Sequence, residues 1–243
     1  MLYVAMTGAK QTLLAQTANS HNLANASTTG FRADLEAFRA MPVYGPGQPS
    51  RVYAMAERPG TDLMSGTVSA TGRELDVAVS GDGWIAVQAA DGSEAYTRAG
   101  DLRVSSNGQL VNGAGHEVLG NSGPIAIPPS MKIEIGADGT ITSRGLGQAP
   151  STLSAVDRIR LVKLPSAELI KGADGLMRLR NGQPAEPDAN VRLTAGSLES
   201  SNVNAVEAMV NMITLSRQFE MQVKAMKTTE DIDQSAAQIL RLN

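Results

Sequence analysis

Side chains able to do acid–base or nucleophilic chemistry are few in this chain. His21 and His116 are its two imidazoles and it has no cysteine, which excludes thiolate chemistry, disulfides and zinc sites built on several imidazoles or thiolates. Two close carboxylate pairs, Glu74 with Asp76 and Asp91 with Glu94, have the residue types a glycosidase needs at a controlled separation. Glu74 and Asp76 would share one face of a strand, whereas Asp91 and Glu94 flank a turn; both are ordinarily solvated positions. The histidines fall in different elements, His21 on a helix surface and His116 beside Glu117 on a strand, so neither has a geometry-matched partner for proton transfer. Gly81-Asp82-Gly83 and Gly113-Ala114-Gly115 look like phosphate-cradling loops. The first lacks the third glycine of the dinucleotide spacing, the second runs into His116-Glu117-Val118-Leu119 with strand character, and no Gly-Lys-Ser/Thr follows either. Asn25-Ala26-Ser27 matches the N-glycosylation triplet, a short pattern that recurs by chance. No catalytic residue, metal site or cofactor is expected.

The elements that would carry these residues are mapped by glycine. Gly8 is the sole glycine before Gly30, and none follows Gly196. Between them lie Asp82-Gly83, Asp91-Gly92, Asn107-Gly108, Asn112-Gly113, Asp138-Gly139, Asp174-Gly175 and Asn181-Gly182, dipeptides that supply the positive φ angles of tight hairpins. The intervening segments alternate: 75–79, 102–104, 131–135, 159–161 and 177–179 place one set of side chains inward and the other in water. Residues of about 70 to 195 therefore read as an antiparallel β domain.

The ends follow another period. Leu2, Met6, Ala9, Leu13, Gln16, Ser20 and Leu23 are spaced by alternating fours and threes, as are Ala205, Met209, Met212, Ser216, Phe219, Val223 and Met226; after Glu230 and Asp233 the second series resumes at Ala237 and Leu240. Asn204, three residues before Glu207, is a suitable N-cap for the second helix. Each helix could be an ordinary amphipathic element packed on the β domain. The position of both seams at the chain's extremities, and their dilution by small and polar residues, favours pairing with each other and with other copies. Residues 40–70, rich in Pro and Gly, lack periodicity and read as an extended connector.

The 243 residues allow one large or two modest domains, and 21 basic against 24 acidic residues give a net charge of −3. That balance favours neither nucleic acid nor an anionic membrane as partner. The stretch from Gln11 to Phe31 is uncharged but broken by Gln, Thr, Asn and Ser, so it is neither a membrane span nor the apolar core of a secretory signal.

Residues 18–32, Ala-Asn-Ser-His-Asn-Leu-Ala-Asn-Ala-Ser-Thr-Thr-Gly-Phe-Arg, resemble the N-terminal signature of bacterial flagellar axial proteins of the rod and hook, with His21 in place of an Asn. The motif has a physical reading of its own. Asn25, Ser27 and Thr28 compete for helical backbone hydrogen bonds, Gly30 permits a left-handed turn, and Phe31 can fold back onto the helices. Residues 75–84 followed by Tyr96-Thr97-Arg98-Ala99-Gly100-Asp101 are similar to the family's β core, with Leu102 where Phe is common. Residues 196–204, Met212-Ile213 and 217–221 match its C-terminal region. Asp82-Gly83-Trp84 and residues 217–222 most resemble the proximal-rod member, with the distal-rod member as the close alternative.

The resemblance implies a mixed α and β fold: terminal helices forming a coiled-coil-like helical domain around a central antiparallel β domain. The expected divisions are 1–38 for the N-terminal helix and joint, 39–70 for the connector, 71–196 for the β domain and 197–243 for the C-terminal helix. It also implies a structural subunit of the basal-body rod, exported by the flagellar type III apparatus without a cleaved signal and assembled in the periplasm. Its partners would be other copies and other rod proteins, with no nucleic acid and no membrane insertion. The expected assembly residues are Leu2, Met6, Leu13, Asn22, Leu23, Asn25, Gly30, Phe31, Met209, Met212, Phe219, Val223, Met226 and Leu240. A Gly-rich carbohydrate-active enzyme using the carboxylate pairs is the alternative of another class, and an independent adhesin or binding module a third.

Overall fold

A computed structural model describes residues 2–42, 52–128, 131–145 and 154–241. The chain divides into two compact units: 1–26, 33–62 and 203–243 form one, and 27–32 with 63–202 form the other.

The helical unit contains α1 (Leu2–Ala24) and α2 (Ala205–Arg241). Asn204 caps α2 as its type and position predict, its side-chain oxygen accepting the Val206 and Glu207 amides at 3.1 and 3.3 Å. The helices run antiparallel, and small and polar residues make some of their contacts. Asn19 donates to the Ala208 carbonyl at 2.7 Å, Thr12 donates to the Gln222 side chain at 3.2 Å, and Gly8 lies against Gln222. On α1, Ala9, Thr12, Ala15 and Ala18 are buried and Thr7, Gly8, Gln11, Gln16, Asn19, Asn22 and Leu23 half-buried; on α2, Ala208 is buried and Ala205, Met212, Leu215, Ser216, Phe219, Gln222, Met226 and Thr229 are half-buried.

The expected seams are kept in part. On α2 the expected Ala205, Met212, Ser216, Phe219 and Met226 are half-buried, while Met209 and Val223 are exposed and Ala208 and Gln222 are covered beside them. On α1 the expected Ala9 is buried and Gln16 and Leu23 are half-buried, while Met6, Leu13 and Ser20 are exposed and Thr12, Ala15 and Ala18 are buried. An alternation of fours and threes fixes the spacing of a face but not its rotation, and at Leu13, Met209 and Val223 the covered residue is the one before the expected position.

The stretch expected to be a connector holds strands instead. β1 (Asp34–Pro42) and β2 (Val52–Thr61) pair antiparallel, with an irregularity between Leu35 and Ala37. Residues 43–51 of the expected connector lie outside the described residues. Pro59 and Gly60, which argue against a central strand, fit one strand of a two-stranded ribbon. Asn22 aligns the start of this ribbon: its side chain donates to the Asp34 carbonyl and accepts the Asp34 amide, each at 2.9 Å.

The β unit is built on an antiparallel sheet in the order 169–171, 177–179, 94–97, 84–88, 117–118, 110–111 and 103–104, with 161–162 also pairing to 84–88. Residues 131–135, 140–145 and 154–158 form a second, three-stranded sheet. Two short ribbons pair 77–80 with 192–195 and 68–70 with 197–199. The expected strands 131–135 and 177–179 are present at those bounds. Residues 197–199, expected to lead the C-terminal helical segment, belong to a strand instead.

Strand 84–88 is buried on both faces. Ile85 and Val87 enter a core with Val77, Leu102, Leu110, Val118, Ile125, Ile141 and Ile159, while Trp84 and Ala86 pack with Tyr96, Val162 and Met177. The uninterrupted apolar run Trp84-Ile85-Ala86-Val87 thus marks a central strand rather than a half-solvated one. Five of the seven Gly dipeptides place their glycine at positive φ: Gly92, Gly108, Gly139, Gly175 and Gly182. Gly83 and Gly113 serve close packing, since a Cβ would strike Val191 at the first and Asp101 at the second.

Candidate assembly surface

The carboxylates with catalytic potential are engaged in local structure. Asp76, expected to be solvated, is buried: it accepts the Thr71 hydroxyl at 2.7 Å and lies 3.5 Å from Arg73. Glu74 points elsewhere, pairing with Lys132 at 2.9 Å. Asp91 accepts the Ser93 hydroxyl and amide, and these bonds hold its carboxyl below the ordinary range. Glu94 bridges Tyr96 and Arg160 at 3.0 and 2.7 Å. Burial pushes the Tyr96 phenol up to about 12. His21 sits 3.1 Å from Asp34 on the helical unit, and His116 lies in a turn of the β unit where its amide is held by Asn112. Among these residues no acid and base converge on a shared position. Among the described residues there is no group of three or more His, Asp or Glu side chains that could hold a metal ion, and no helix is long and apolar enough to cross a membrane.

What the helical unit presents is apolar. α1 leaves Met6, Leu13 and Leu14 exposed, and α2 leaves Val206, Met209, Val210, Ile213, Met221, Val223 and Ile232 exposed. Val206 is 71% and Met221 63% exposed, far beyond what a core helix shows. Met212, Phe219 and Met226 are half-buried, as is Leu23. Leu2 and Leu240 lie in the helices, but their side chains fall outside those described. A groove of about 360 Å³ runs beside Ala15, Ala18, Asn22, Leu35, Thr214 and Leu215 within the same unit.

The helix-end motif acts inside the chain. Asn25 donates from its side chain to the His21 carbonyl at 2.9 Å and terminates α1. Gly30 has φ +65°, and a Cβ there would collide with the Arg98 backbone. Phe31, expected to return to the helices, is buried in the β unit, with the Lys171 ammonium 3.9 Å from its ring centre.

Sequence reasoning missed Arg32, Arg98 and Glu199, which meet in the β unit with side chains 2%, 4% and 1% exposed. Glu199 accepts from Arg32 Nη2 on one oxygen and from Arg98 Nη1 at 3.0 Å on the other. Burial pushes the Arg98 guanidinium below its ordinary value, Glu199 opposes that shift, and Arg32 reinforces it. The available signal was Arg32 itself, the last residue of the Gly-Phe-Arg motif.

The carboxylates singled out for catalysis are thus engaged locally, the β core is sealed, and both helices display apolar side chains. The class of protein comes from comparison with known proteins, which match it as a structural flagellar subunit along its length. Residues 2–32 match the flagella basal body rod protein family, 78–143 the flagellar hook protein FlgE/F/G D1 domain, and 194–239 the flagellar basal body rod FlgEFG protein C-terminal family. The flagellar basal-body rod protein FlgF of Escherichia coli is 46% identical over 248 residues, covering 100% of this chain and 98% of that protein. FlgF of Salmonella typhimurium is 44% identical with the same coverage, and FlgG of Buchnera aphidicola is 29% identical over 98% of each chain. The chain belongs to the flagellar basal-body rod protein family, and within it is FlgF-like. Its role is structural, in the rod of the flagellar basal body, and the carbohydrate-active alternative has no support.

Proposed function

We propose that this subunit assembles into the proximal rod through its terminal helices, which pair in a coiled-coil-like domain and bury their outer apolar residues against neighbouring copies and other rod subunits. The observation that carries this reading is the division of labour on the helices. One side of each helix is buried or half-buried, with Ala15, Ala18, Ala208, Leu215 and Phe219 among its residues, while Leu13, Met209, Val210 and Ile213 are left outward. Full burial of each such side chain contributes roughly 1.5 to 3 kcal/mol, so a few per neighbour, repeated along a helical stack, suffice for assembly. Met6, Met209 and Met221 are unbranched and adapt to neighbours that differ in sequence. Of the expected assembly residues, Asn22, Asn25, Gly30 and Phe31 act within the chain, so they shape the surface rather than form it.

The proposal includes export as an unfolded chain by the flagellar type III apparatus, without a cleaved signal, and assembly in the periplasmic space. The absence of Cys suits that route, since an unfolded chain entering an oxidising compartment would otherwise risk wrong disulfides.

Leu13→Asp and Ile213→Asp should each leave the circular dichroism of the purified chain unchanged and remove it from isolated basal bodies. Near-wild-type incorporation of both variants would overturn the proposed surface.

A further inference from the structure

The chain passes between its two units four times, after Ala26, Arg32, Asp62 and Asn202. Within the β unit, the segments beside these passages converge on one residue. The backbone carbonyl of Glu199 accepts the Gly30 amide at 2.8 Å, and its carboxylate accepts Arg32 and the Gly66 amide, the latter at 3.0 Å. The second carboxylate oxygen is held by Arg98, which also donates to the Val79 and Gly81 carbonyls at 3.4 and 2.7 Å. One side chain therefore joins segment 27–32, the segment beginning at 63 and the segment ending at 202 to the body of the sheet.

Neighbouring bonds repeat the pattern. Ser200 and Thr67 exchange bonds, the Ser200 amide reaching the Thr67 carbonyl at 2.9 Å and the Thr67 amide reaching the Ser200 hydroxyl at 3.1 Å. The Asn202 amide donates to the Phe31 carbonyl at 3.3 Å, and its side chain to the Met64 carbonyl at 3.1 Å. Gly66 is required by this closeness, since a Cβ would overlap the Ser200 carbonyl. Lys171 adds a bond of 2.7 Å to the Arg32 carbonyl.

The chemistry is costly for a place that packing alone could fill. Two guanidinium groups and one carboxylate are taken out of water, and Arg32 Nε, Arg32 Nη1 and Arg98 Nε find no hydrogen-bond acceptor. Their carbons lie 5.8 and 5.3 Å from the centre of the Trp84 ring, whose π face compensates part of the lost hydration. An apolar cluster of the same volume would hold the unit together but would leave the Gly66 amide without its acceptor and would tolerate sliding of the three segments. A buried carboxylate with fixed donors does not.

We propose that Glu199 is a positioning residue: it locks the segments that enter and leave the β unit into one cooperative cluster, so that they open together and separately from the rest of the sheet. This does not depend on which helix faces meet in the rod. Because the partners are Arg32, Gly66, Arg98 and Glu199, far apart in sequence, the lock is made only once the segments have come together.

Native-state hydrogen exchange on the full chain tests it. In the unsubstituted protein the amides of Gly30, Gly66, Thr67, Ser200 and Asn202 should exchange as one unit with a common denaturant dependence; separate levels would overturn the proposal. In Glu199→Gln, these amides should exchange at least roughly tenfold faster relative to Ala86, Leu110 and Leu119 in the core, the scale of losing a hydrogen bond to a charged group. Glu199→Gln leaves two buried cations and could unfold the unit, so a second variant combines Arg32→Met, Arg98→Met and Glu199→Leu. It should keep the core amides protected and still lose protection at Gly66 and Gly30. Retained protection at both would show that packing alone positions the segments, and the proposal would fall.

Discussion

The β unit and the helical unit of this chain satisfy themselves to different degrees. In the β unit, Ile85, Val87, Leu102, Leu110 and Ile125 are sealed from water, and Arg98 and Glu199 are buried with a partner. In the helical unit Ala9, Thr12, Ala15, Ala18 and Ala208 are buried and Met212, Leu215, Phe219 and Met226 only half-buried, while Met6, Leu13, Val206, Met209, Val210, Ile213 and Met221 are exposed. A sheet closed over its own core has its folding energy in hand. A helix pair whose larger apolar residues are half-buried at best contributes less apolar burial of its own. The difference is the one the proposed assembly needs: a body finished before assembly and a surface that neighbours would finish.

Substitutions can break that contrast, and the largest effect belongs to the β core. Leu102→Ala should lower the stability of the purified chain by about 2 to 5 kcal/mol in urea unfolding, because a fully buried leucine leaves a cavity in a sheet that cannot collapse. An effect below that range would mean the core is less complete than its burial indicates. Gly30→Ala forces a left-handed φ on a residue whose Cβ meets backbone, and should cost about 1 to 3 kcal/mol by the same measurement.

Alkaline pH offers a third test. Burial raises the Tyr96 phenol from 10.0 to about 12, so the folded state holds this proton more tightly than the unfolded chain. Its contribution is fully present below about pH 10 and is lost as pH climbs toward 12, so stability should decline across that window. The decline should be smaller in Tyr96→Phe; an equal decline would assign it to other groups.

The helical unit should respond more weakly. Gln222→Ala removes one of the two acceptors of the Thr12 hydroxyl, the Gly8 carbonyl being the other, and should cost about 0.5 to 1.5 kcal/mol, read from helix melting by circular dichroism. Ile213→Ala, on the outer surface, should change the isolated chain by less than about 0.5 kcal/mol while reducing its recovery in basal bodies. If Ile213→Ala destabilises the isolated chain as much as Gln222→Ala does, the surface is already buried within the subunit and the contrast disappears.

Local pattern made much of the β unit readable before its coordinates. Met131–Ile135 and Met177–Leu179 alternate cleanly between turn glycines, and Asn204 announces the start of α2. The ribbon at 34–61 was not readable, because Pro42, Pro59 and Gly60 interrupt its alternation and a two-stranded ribbon tolerates them where a central strand would not. On the helices, period found much of the covered face, including Ala9, Met212, Phe219 and Met226, but missed its rotation at Leu13 and Met209, where the residue before, Thr12 or Ala208, is the buried one. Spacing alone does not distinguish such adjacent positions. The Arg32, Arg98 and Glu199 cluster was invisible for a different reason: each is an ordinary surface type in its own segment, and only the tertiary fold brings them together.

Trp84 has a use that follows from its place beneath Arg32 and Arg98. It is the sole tryptophan in the chain and is 5% exposed, so the protein's indole emission originates beside that cluster and nowhere else. Folded subunits should fluoresce toward the blue and unfolded chains toward the red. An optical signal native to the sequence, with no added label, can thus time the closure of the β unit during refolding.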